Sequence, residues 1–373
     1  WLEVADPAHP DAGAALFAHL AGNYDVVVGN ILAERWFLAA LRHLPAHVRT
    51  VGLVHSTTHG TYRAARAVAP WLDDLVCPGR RMEEDLRPVL RGLAGGWHRI
   101  PHGDGEEFLR VERPPSPGDA PLRLLFAGRL EDASKRVLLL PAIISHLRAA
   151  GVRHTLSIAG DGPDRARLEA TLPEDAARFL GRVPRRDMPE LLATHDALLM
   201  PSRWEGFPMG LLEAMAAGCV AVCSLLPGVT DDLARDGTEA FLVRGGGASE
   251  YATAAARLAD RQVCAALSAA CRTRAGEFTA ARQAAAFAAV LRNPVGTRRS
   301  APLPVGNWHL PPGLADHPVT TLLPSGLKSV LRAWRERLRA PQRNRGFAVS
   351  ASPTLCVFCA FVAVLAPQHR NRH

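Results

Sequence analysis

Short apolar segments alternate with longer segments of helical period along most of this chain. The segments that predict β-strands are 25–30, 47–55, 74–77, 123–128, 154–160, 195–202 and 219–224. Between two of them, VLLLPAIISHLRAAG at 137–151 carries apolar residues at helical spacing. Strands that alternate with helices form parallel sheets covered by helices. The sequence therefore predicts an α/β fold of the doubly wound type.

A segment rich in proline and glycine, PPSPGDAP at 114–121, separates two such alternating series. This composition is typical of a linker between domains. We therefore predict an N-terminal domain over 1–115 and a second domain over 116–293. The remaining stretch, 294–373, begins with many prolines, continues with the basic segment LKSVLRAWRERLRA at 327–340, and ends in an apolar tail.

The basic segment 327–340 is predicted to be an amphipathic helix, with Leu327, Leu331 and Trp334 on one face and arginines on the other. Two interpretations stay open: the helix packs back on the domains, or it lies on a membrane surface. The net charge of +8 permits attraction to phosphate or to an anionic membrane without requiring it. The arginines are not interleaved with aromatic residues, so we do not expect a nucleic-acid partner.

The 7 cysteines are odd in number and scattered, which favours a reducing compartment over a disulfide framework. Cys356 and Cys359 form a CxxC, but no histidine lies nearby, so we expect neither a metal nor a redox site there. The apolar run around them is too short to span a bilayer. We expect a cytoplasmic protein and leave open peripheral attachment to the inner membrane face.

One predicted strand end carries a pair of cations. In LLFAGRLEDASKR, Gly128 and Arg129 follow the strand and Lys135 comes six residues later. Lysine occurs only at positions 135 and 328, although Lys and Arg together number 44. A solvated loop lysine is the simple interpretation of Lys135. The stronger interpretation is a compact ammonium placed against a diphosphate, beside an arginine that forms forked contacts.

Two more strand ends carry glycine-rich turns. IAGDGPDRARLEA contains Gly160, Asp161 and Gly162 but has Arg165 where a dinucleotide fingerprint would need its third glycine. PSRWEGFPMGLLEAMAA predicts a strand end, a turn through Gly206 and then a helix. The start of a helix after such a turn suits a phosphate, because its N–H groups and dipole are positive.

Two glutamates, Glu205 and Glu213, flank that turn, and a carboxylate accepts hydrogen bonds from sugar hydroxyls but repels phosphate. A phosphate flanked by hydroxyl-bearing groups is a nucleotide sugar. The sequence therefore predicts a nucleotide-sugar site at these strand ends.

The motifs GRL…SKR, AGDGPDR, FLGRV and EGFPMGLLE, in this order and spacing, resemble the donor-binding domain of the retaining family 4 glycosyltransferases of GT-B fold. The likeness covers about 120–293 strongly. It is weaker in VVVGN, GLVHSTTHGTY and HRIPHGDGEEF. It implies two Rossmann-like domains that face each other across a cleft, with an N-terminal acceptor-side domain that lacks several of the family's first elements.

The resemblance also implies roles for single residues. The residues expected to bind the donor diphosphate are Arg129, Lys135, Met209 and Gly210. Met209 and Gly210 would bind it through their backbone amides, since Pro208 has no N–H group to donate. Donor sugar binding falls to Glu205, Gly206 and Phe207, and ribose binding to Glu213. The residues expected beside the base are Gly160, Asp161, Gly162 and Val183.

His55 follows a strand of the first domain and matches a family histidine that faces the donor sugar. His55 and Glu205 are the two residues predicted to be catalytic. His59 is the alternative. In IPHGDGEEF, His102 and Gly105 replace the family's Asn and Asp, which weakens any role carried over to that loop.

The resemblance implies retaining transfer from a nucleoside-diphosphate sugar to a hydroxyl of a glycan or lipid-linked acceptor, in cell-envelope polysaccharide or glycolipid synthesis. No Asp-x-Asp occurs in the chain, so we expect no metal and no cofactor besides the donor. Two alternatives stay open: a nucleotide-sugar-binding remnant without transferase activity, and a nucleotide-sugar epimerase on the same fold.

Overall fold

A computed structural model describes residues 10–30, 35–90, 93, 95–103, 106–114, 117–173, 175–292 and 300–304. The predicted amphipathic helix at 327–340, the CxxC at Cys356 and Cys359, and Gly105 lie outside the described residues.

The chain divides into two compact units. One contains the described residues up to Pro78, Met82–Ile100 and those from Phe287 onward, and the other contains Gly79–Arg81 and Pro101–Ala286. The division in sequence therefore falls at 100/101, ahead of the boundary predicted at 115/116. The physical reason is Phe108, which is fully buried in a core cluster of the second unit.

The first unit is built on a four-stranded parallel sheet in the order β1-β2-β3-β4. Its strands are β1 (Val26–Gly29), β2 (Arg49–Leu53), β3 (Asp74–Cys77) and β4 (Gly96–Arg99). Its helices are α1 (Pro10–Asn23), α2 (Arg35–Leu41), α3 (His59–Val68) and most of α4 (Arg80–Leu86). Leu38, Ala65 and Leu75 represent the buried apolar cluster that these elements share.

The second unit is built on a six-stranded parallel sheet in the order β10-β9-β8-β5-β6-β7. Its strands are β5 (Leu122–Ala127), β6 (His154–Ala159), β7 (Arg178–Gly181), β8 (Ala197–Met200), β9 (Val220–Ser224) and β10 (Ala240–Val243). Its helices are α5 (Glu106–Arg110), α6 (Asp132–Lys135), α7 (Leu140–Ala149), α8 (Arg165–Thr171), α9 (Met188–Ala193), α10 (Met209–Ala217), α11 (Thr230–Leu233), α12 (Ala248–Ala256), α13 (Arg261–Ala275) and α14 (Ala280–Arg292), of which α14 continues into the first unit.

Both faces of the second sheet are covered by apolar side chains. Along β9, Val220 and Val222 belong to one core cluster, while Ala221 and Cys223 belong to the other. A strand that is buried on both faces has no polar alternation. This is why β8 (ALLM) and β10 (AFLV) are uninterrupted apolar runs in the sequence.

The α/β class with parallel sheets is confirmed, but three strands were not predicted. β4 and β7 are edge strands whose residues are mostly half-exposed, so they lack an apolar run. β10, AFLV, is fully buried and is an apolar run, so its sequence pattern does indicate a strand. None of the described helices combines the length and the hydropathy that a membrane-spanning helix needs.

A buried carboxylate lies at the start of β8. Asp196 has no exposed side-chain surface, and its oxygens lie 2.8 Å from Arg113, 2.9 Å from Arg123 and 3.3 Å from Arg261. Burial raises the pKa of Asp196, but hydrogen bonds from Arg123 and the charges of Arg123 and Arg113 outweigh it and lower the pKa to about 2. The carboxylate is therefore ionised at neutral pH.

We expect Asp196→Asn to lower the free energy of unfolding by about 3–5 kcal/mol, because it removes one partner of a buried ion-pair group. In the wild type this stabilisation is present above the usual carboxyl pKa of 3.8 and is lost as the pH falls toward 2. Urea unfolding of both proteins between pH 3 and pH 7 measures it. An equal free energy for the two proteins at pH 7 would contradict the assignment.

Candidate functional site

The loops singled out in the sequence emerge side by side from the second sheet. They follow β5, β6 and β8, which are neighbours in the order β8-β5-β6. In a parallel sheet the carboxyl ends of neighbouring strands share one edge, and ligands bind where the strand order reverses. That reversal lies between β5 and β8, because β6 and β7 lie on one side of β5, whereas β8, β9 and β10 lie on the other.

The loops after β5 and β6 are in backbone contact. Gly160 has φ +138°, and an ideal Cβ there would lie 1.8 Å from the carbonyl oxygen of Gly128. A Cβ at Gly162 would lie 2.4 Å from the carbonyl oxygen of Leu130. The amide of Leu130 donates to the carbonyl of Asp161 at 3.0 Å. The glycines expected beside the base therefore also have a structural purpose, which is to let two loops touch.

Hydrogen bonds tie all three loops together. The amide of Asp132 donates to Oδ2 of Asp164 at 2.7 Å, which joins the β5 and β6 loops. The amide of Arg203 donates to the carbonyl of Ser134 at 2.8 Å, which joins the β8 and β5 loops. The loop positions are thus set by hydrogen bonds as well as by the sheet.

The structure brings Lys135 and Glu205 into direct contact. Nζ of Lys135 lies 2.5 Å from Oε1 of Glu205, and the hydroxyl of Ser202 donates to the same oxygen at 2.7 Å. The Glu205 side chain is only 12% exposed. An ammonium and a carboxylate therefore meet at the junction of two strand ends, where their interaction is partly shielded from water.

The second glutamate is also paired with a cation. Nη1 of Arg185 lies 2.8 Å from Oε1 of Glu213, and Nη2 of Arg185 lies 3.0 Å from Oε1 of Glu107. The Glu213 side chain is 15% exposed and that of Arg185 is 55% exposed. Arg185 had not been singled out in the sequence, because its partners lie on α5 and α10, far along the chain.

The start of α10 presents its amides unevenly. The amide of Met209 donates to the carbonyl of Phe207 at 2.9 Å, so the contact to phosphate predicted for Met209 competes with a bond inside the turn. Within the part of the chain that the structure describes, the amide of Gly210 donates no hydrogen bond outside its own helix. An ideal Cβ at Gly210 would have no neighbour within 4 Å. The amide of Gly210 is therefore better placed than that of Met209 to meet a ligand.

Two other predicted residues pack against the protein. Phe207 and Val183 contact the core cluster on the α10 side of the sheet. The ring of Phe207 also meets His102 edge to face, with centroids 5.1 Å apart. Any sugar contact of Phe207 must therefore use its backbone or the exposed part of its ring.

Arg129 follows β5, and its Nη2 lies 3.8 Å from Oε1 of Glu131. Its side chain is 41% exposed, so the guanidinium can turn toward a ligand at small cost.

Arg136, next to Lys135, has φ +51°, an unusual backbone conformation for a residue with a side chain. Nη2 of Arg136 donates to the carbonyl of Gly246 at 2.6 Å, which helps to hold that conformation.

His55 belongs to the first unit and follows β2. Its Nε2 lies 3.0 Å from Oδ1 of Asn30, and burial lowers its pKa. The ring is therefore neutral at pH 7. His59, the alternative, is the exposed first residue of α3. The role of either histidine toward a donor stays a prediction.

A cavity of about 510 Å³ lies at the opposite edge of the second sheet, where β5, β6 and β7 begin, lined in part by Pro121, Thr155 and Arg178. It does not include the three loops. No group of three or more His, Cys, Asp or Glu side chains suited to a metal ion occurs in the part of the chain that the structure describes.

Part of this chain is similar to known proteins. Residues 121–261 match the family model of the glycosyl transferases group 1. Glycogen synthase of Mycobacterium tuberculosis is 31% identical over 49% of this chain and 48% of its own length. A GDP-mannose-dependent alpha-(1-6)-phosphatidylinositol dimannoside mannosyltransferase of the same species is 42% identical over 23% of each chain. The chain spans no more than about half the length of these relatives.

Solved structures share the fold. Sucrose-phosphate synthase from Thermosynechococcus elongatus superposes with a TM-score of 0.62 at 20% identity, over 76% of this chain and 77% of that chain. The pneumococcal O-GlcNAc transferase GtfA, solved with UDP and GlcNAc, gives 0.59 at 16% identity, over 76% and 61%. The predicted fold class is therefore confirmed.

The two glycines at strand and helix ends allow a matched test of loop packing. We expect Gly160→Ala to destabilise the protein by about 3 kcal/mol or more, because its Cβ would meet a carbonyl and its φ is positive. Gly210→Ala should leave the melting temperature unchanged or slightly raised, since it has open space and lies in a helix. Thermal unfolding measures both. A loss of stability in Gly210→Ala as large as that in Gly160→Ala would contradict this packing.

Proposed function

We propose, from the match of residues 121–261 to the family model of the glycosyl transferases group 1, that this chain transfers a sugar from a nucleoside-diphosphate sugar to a hydroxyl group with retention of anomeric configuration. The observation that carries the proposal is the contact of Lys135 with Glu205 at the reversal point of the second sheet. It supports the proposal because an ammonium, which suits a phosphate, lies directly beside a carboxylate, which suits sugar hydroxyls.

The diphosphate would be bound by positive groups of the chain itself. Lys135 and Arg129 supply formal charges, and the Gly210 amide at the start of α10 supplies a donor with the helix dipole behind it. As the bond between sugar and phosphate breaks, negative charge grows on the departing diphosphate, and preorganised donors stabilise that charge. We therefore propose that no metal ion and no further cofactor are required.

The hydroxyl-bearing parts of the donor would be bound by the two glutamates. Glu205, next to Lys135, would accept hydrogen bonds from the donor sugar, with Gly206 and Phe207 beside it. Glu213, about one helical turn into α10, would accept them from the ribose. The turn around Gly160 and the backbone at Val183 would lie beside the base.

The proposed reaction passes through an oxocarbenium-like state. The C–O bond between the anomeric carbon and the phosphate breaks, and its electron pair leaves with the nucleoside diphosphate. The acceptor hydroxyl then forms the new C–O bond on the same face, and its proton passes to the phosphate oxygen. Glu205 and His55 would position the sugar rather than attack it.

The relatives support an acceptor that is a glycan or a glycolipid. Their names include a glycogen synthase and a phosphatidylinositol dimannoside mannosyltransferase. We propose that this chain acts in cell-envelope polysaccharide or glycolipid synthesis in the cytoplasm, with the inner membrane surface as a further partner. Nucleic acid is not among the proposed partners.

Titration calorimetry with UDP, GDP and ADP tests the donor site, and transfer from the matching radiolabelled nucleotide sugars to a membrane extract tests the activity. We expect one nucleoside diphosphate to bind, transfer to persist in excess EDTA, and NMR of the product to show the donor's anomeric configuration. Binding of none would refute the site. Binding without transfer to any extract would refute the transferase, and an EDTA-sensitive reaction would refute the metal-free mechanism.

Lys135→Ala should lower kcat/KM for transfer by about 100-fold or more, because a preorganised cation is lost at the departing diphosphate. Arg110→Ala is the matched control. It also removes a cation with a carboxylate partner, Glu106 at 3.1 Å, but its side chain is 79% exposed on α5. Initial rates and thermal unfolding of both variants measure the effect. Turnover of Lys135→Ala equal to that of Arg110→Ala would rule out the assigned role.

A further inference from the structure

The geometry around α10 assigns a role to an arginine that the donor motifs do not include. Building on the proposed function, we propose that Arg185 is a positioning residue that holds Glu213 in place for the nucleotide ribose. Arg185 opens a short 3-10 turn, Arg185–Asp187, two residues after Val183. It therefore lies on the loop that is expected to border the base.

Arg185 is fastened independently of Glu213. Its second nitrogen donates to Glu107 at 3.0 Å, and its guanidinium lies over the ring of Phe108, with Cζ 5.4 Å from the ring centroid. Phe108 is fully buried, so this platform is part of the core. A guanidinium fixed by a carboxylate and a ring can orient a third group, because its donors form a planar fork.

Glu213 needs such a partner for two physical reasons. A glutamate side chain has several rotamers, and ordering it during ligand binding would weaken affinity. Its negative charge would also stand near the diphosphate, and like charges at short range repel. The contact with Arg185 at 2.8 Å restricts the side chain and compensates its charge before the nucleotide arrives. Lys135 restricts the side chain of Glu205 and compensates its charge in the same way.

Arg185 contacts Oε1 of Glu213, and the two oxygens of an ionised carboxylate together accept several hydrogen bonds. An arginine and a ribose hydroxyl can therefore share this carboxylate. The inference differs from a purely structural role in one measurable respect. If Arg185 acts through Glu213 on the ribose, its loss must affect a ribonucleotide more than the matching 2′-deoxyribonucleotide.

The test is titration calorimetry with UDP, GDP or ADP, whichever the wild type binds, and with its 2′-deoxy form. We expect Arg185→Ala to weaken ribonucleotide binding about threefold to tenfold while binding of the deoxy form hardly changes. Arg185→Lys should restore part of the loss. Arg186→Ala is the matched control, since the neighbouring Arg186 is 84% exposed and pairs only at 3.5 Å with Asp187.

Three results would overturn the inference. Equal weakening of both nucleotides would show a structural role for Arg185. Tighter ribonucleotide binding in Arg185→Ala would show that Arg185 competes with the ribose instead of assisting it. Unchanged affinity of Arg185→Ala for both nucleotides, as expected for Arg186→Ala, would show no role. If the wild type bound no nucleoside diphosphate, the proposed function itself would fail, which is a different outcome from any of these.

Discussion

The buried carboxylate of Asp196 is the interaction on which the second unit most depends. Its side chain joins arginines from three separate parts of the chain: Arg113, Arg123 and Arg261. Its backbone joins two strands, because its amide donates to the carbonyl of Arg123 and its carbonyl accepts from Val220. β8 is thereby aligned between β5 and β9. A charge without exposed surface is stable only when its partners are in place, so one register is favoured over others.

That register determines where the loops of the opposite edge emerge. When β8 is aligned with β5, the loop that carries Glu205 comes out beside the loop that carries Lys135. The close approach of Gly160 to Gly128 then joins the third loop. The candidate donor site is thus a consequence of strand alignment, and its charged side chains lie against opposite charges in the folded protein.

Much of the fold and part of the site could be predicted from local pattern. The buried strands of the second unit, the turn at Gly206–Pro208 and the helix from Met209 are each encoded within a few consecutive residues. The edge strands β4 and β7 could not be recognised in this way, because half-exposed strands carry no apolar run. The amide of Met209 was expected to be available, but a hydrogen bond inside its own turn uses it.

By itself, the sequence determined the α/β class, the order of the strand-loop-helix units and the kind of chemistry at each strand end, because these depend on residues close together in the chain. Only the tertiary structure decided which charges meet. Lys135 pairs with Glu205 across 70 positions, and Arg185 reaches Glu213 across 28 and Glu107 across 78. Such contacts depend on sheet order and helix packing, since side chains that are distant in sequence meet only after the strands between them have been aligned.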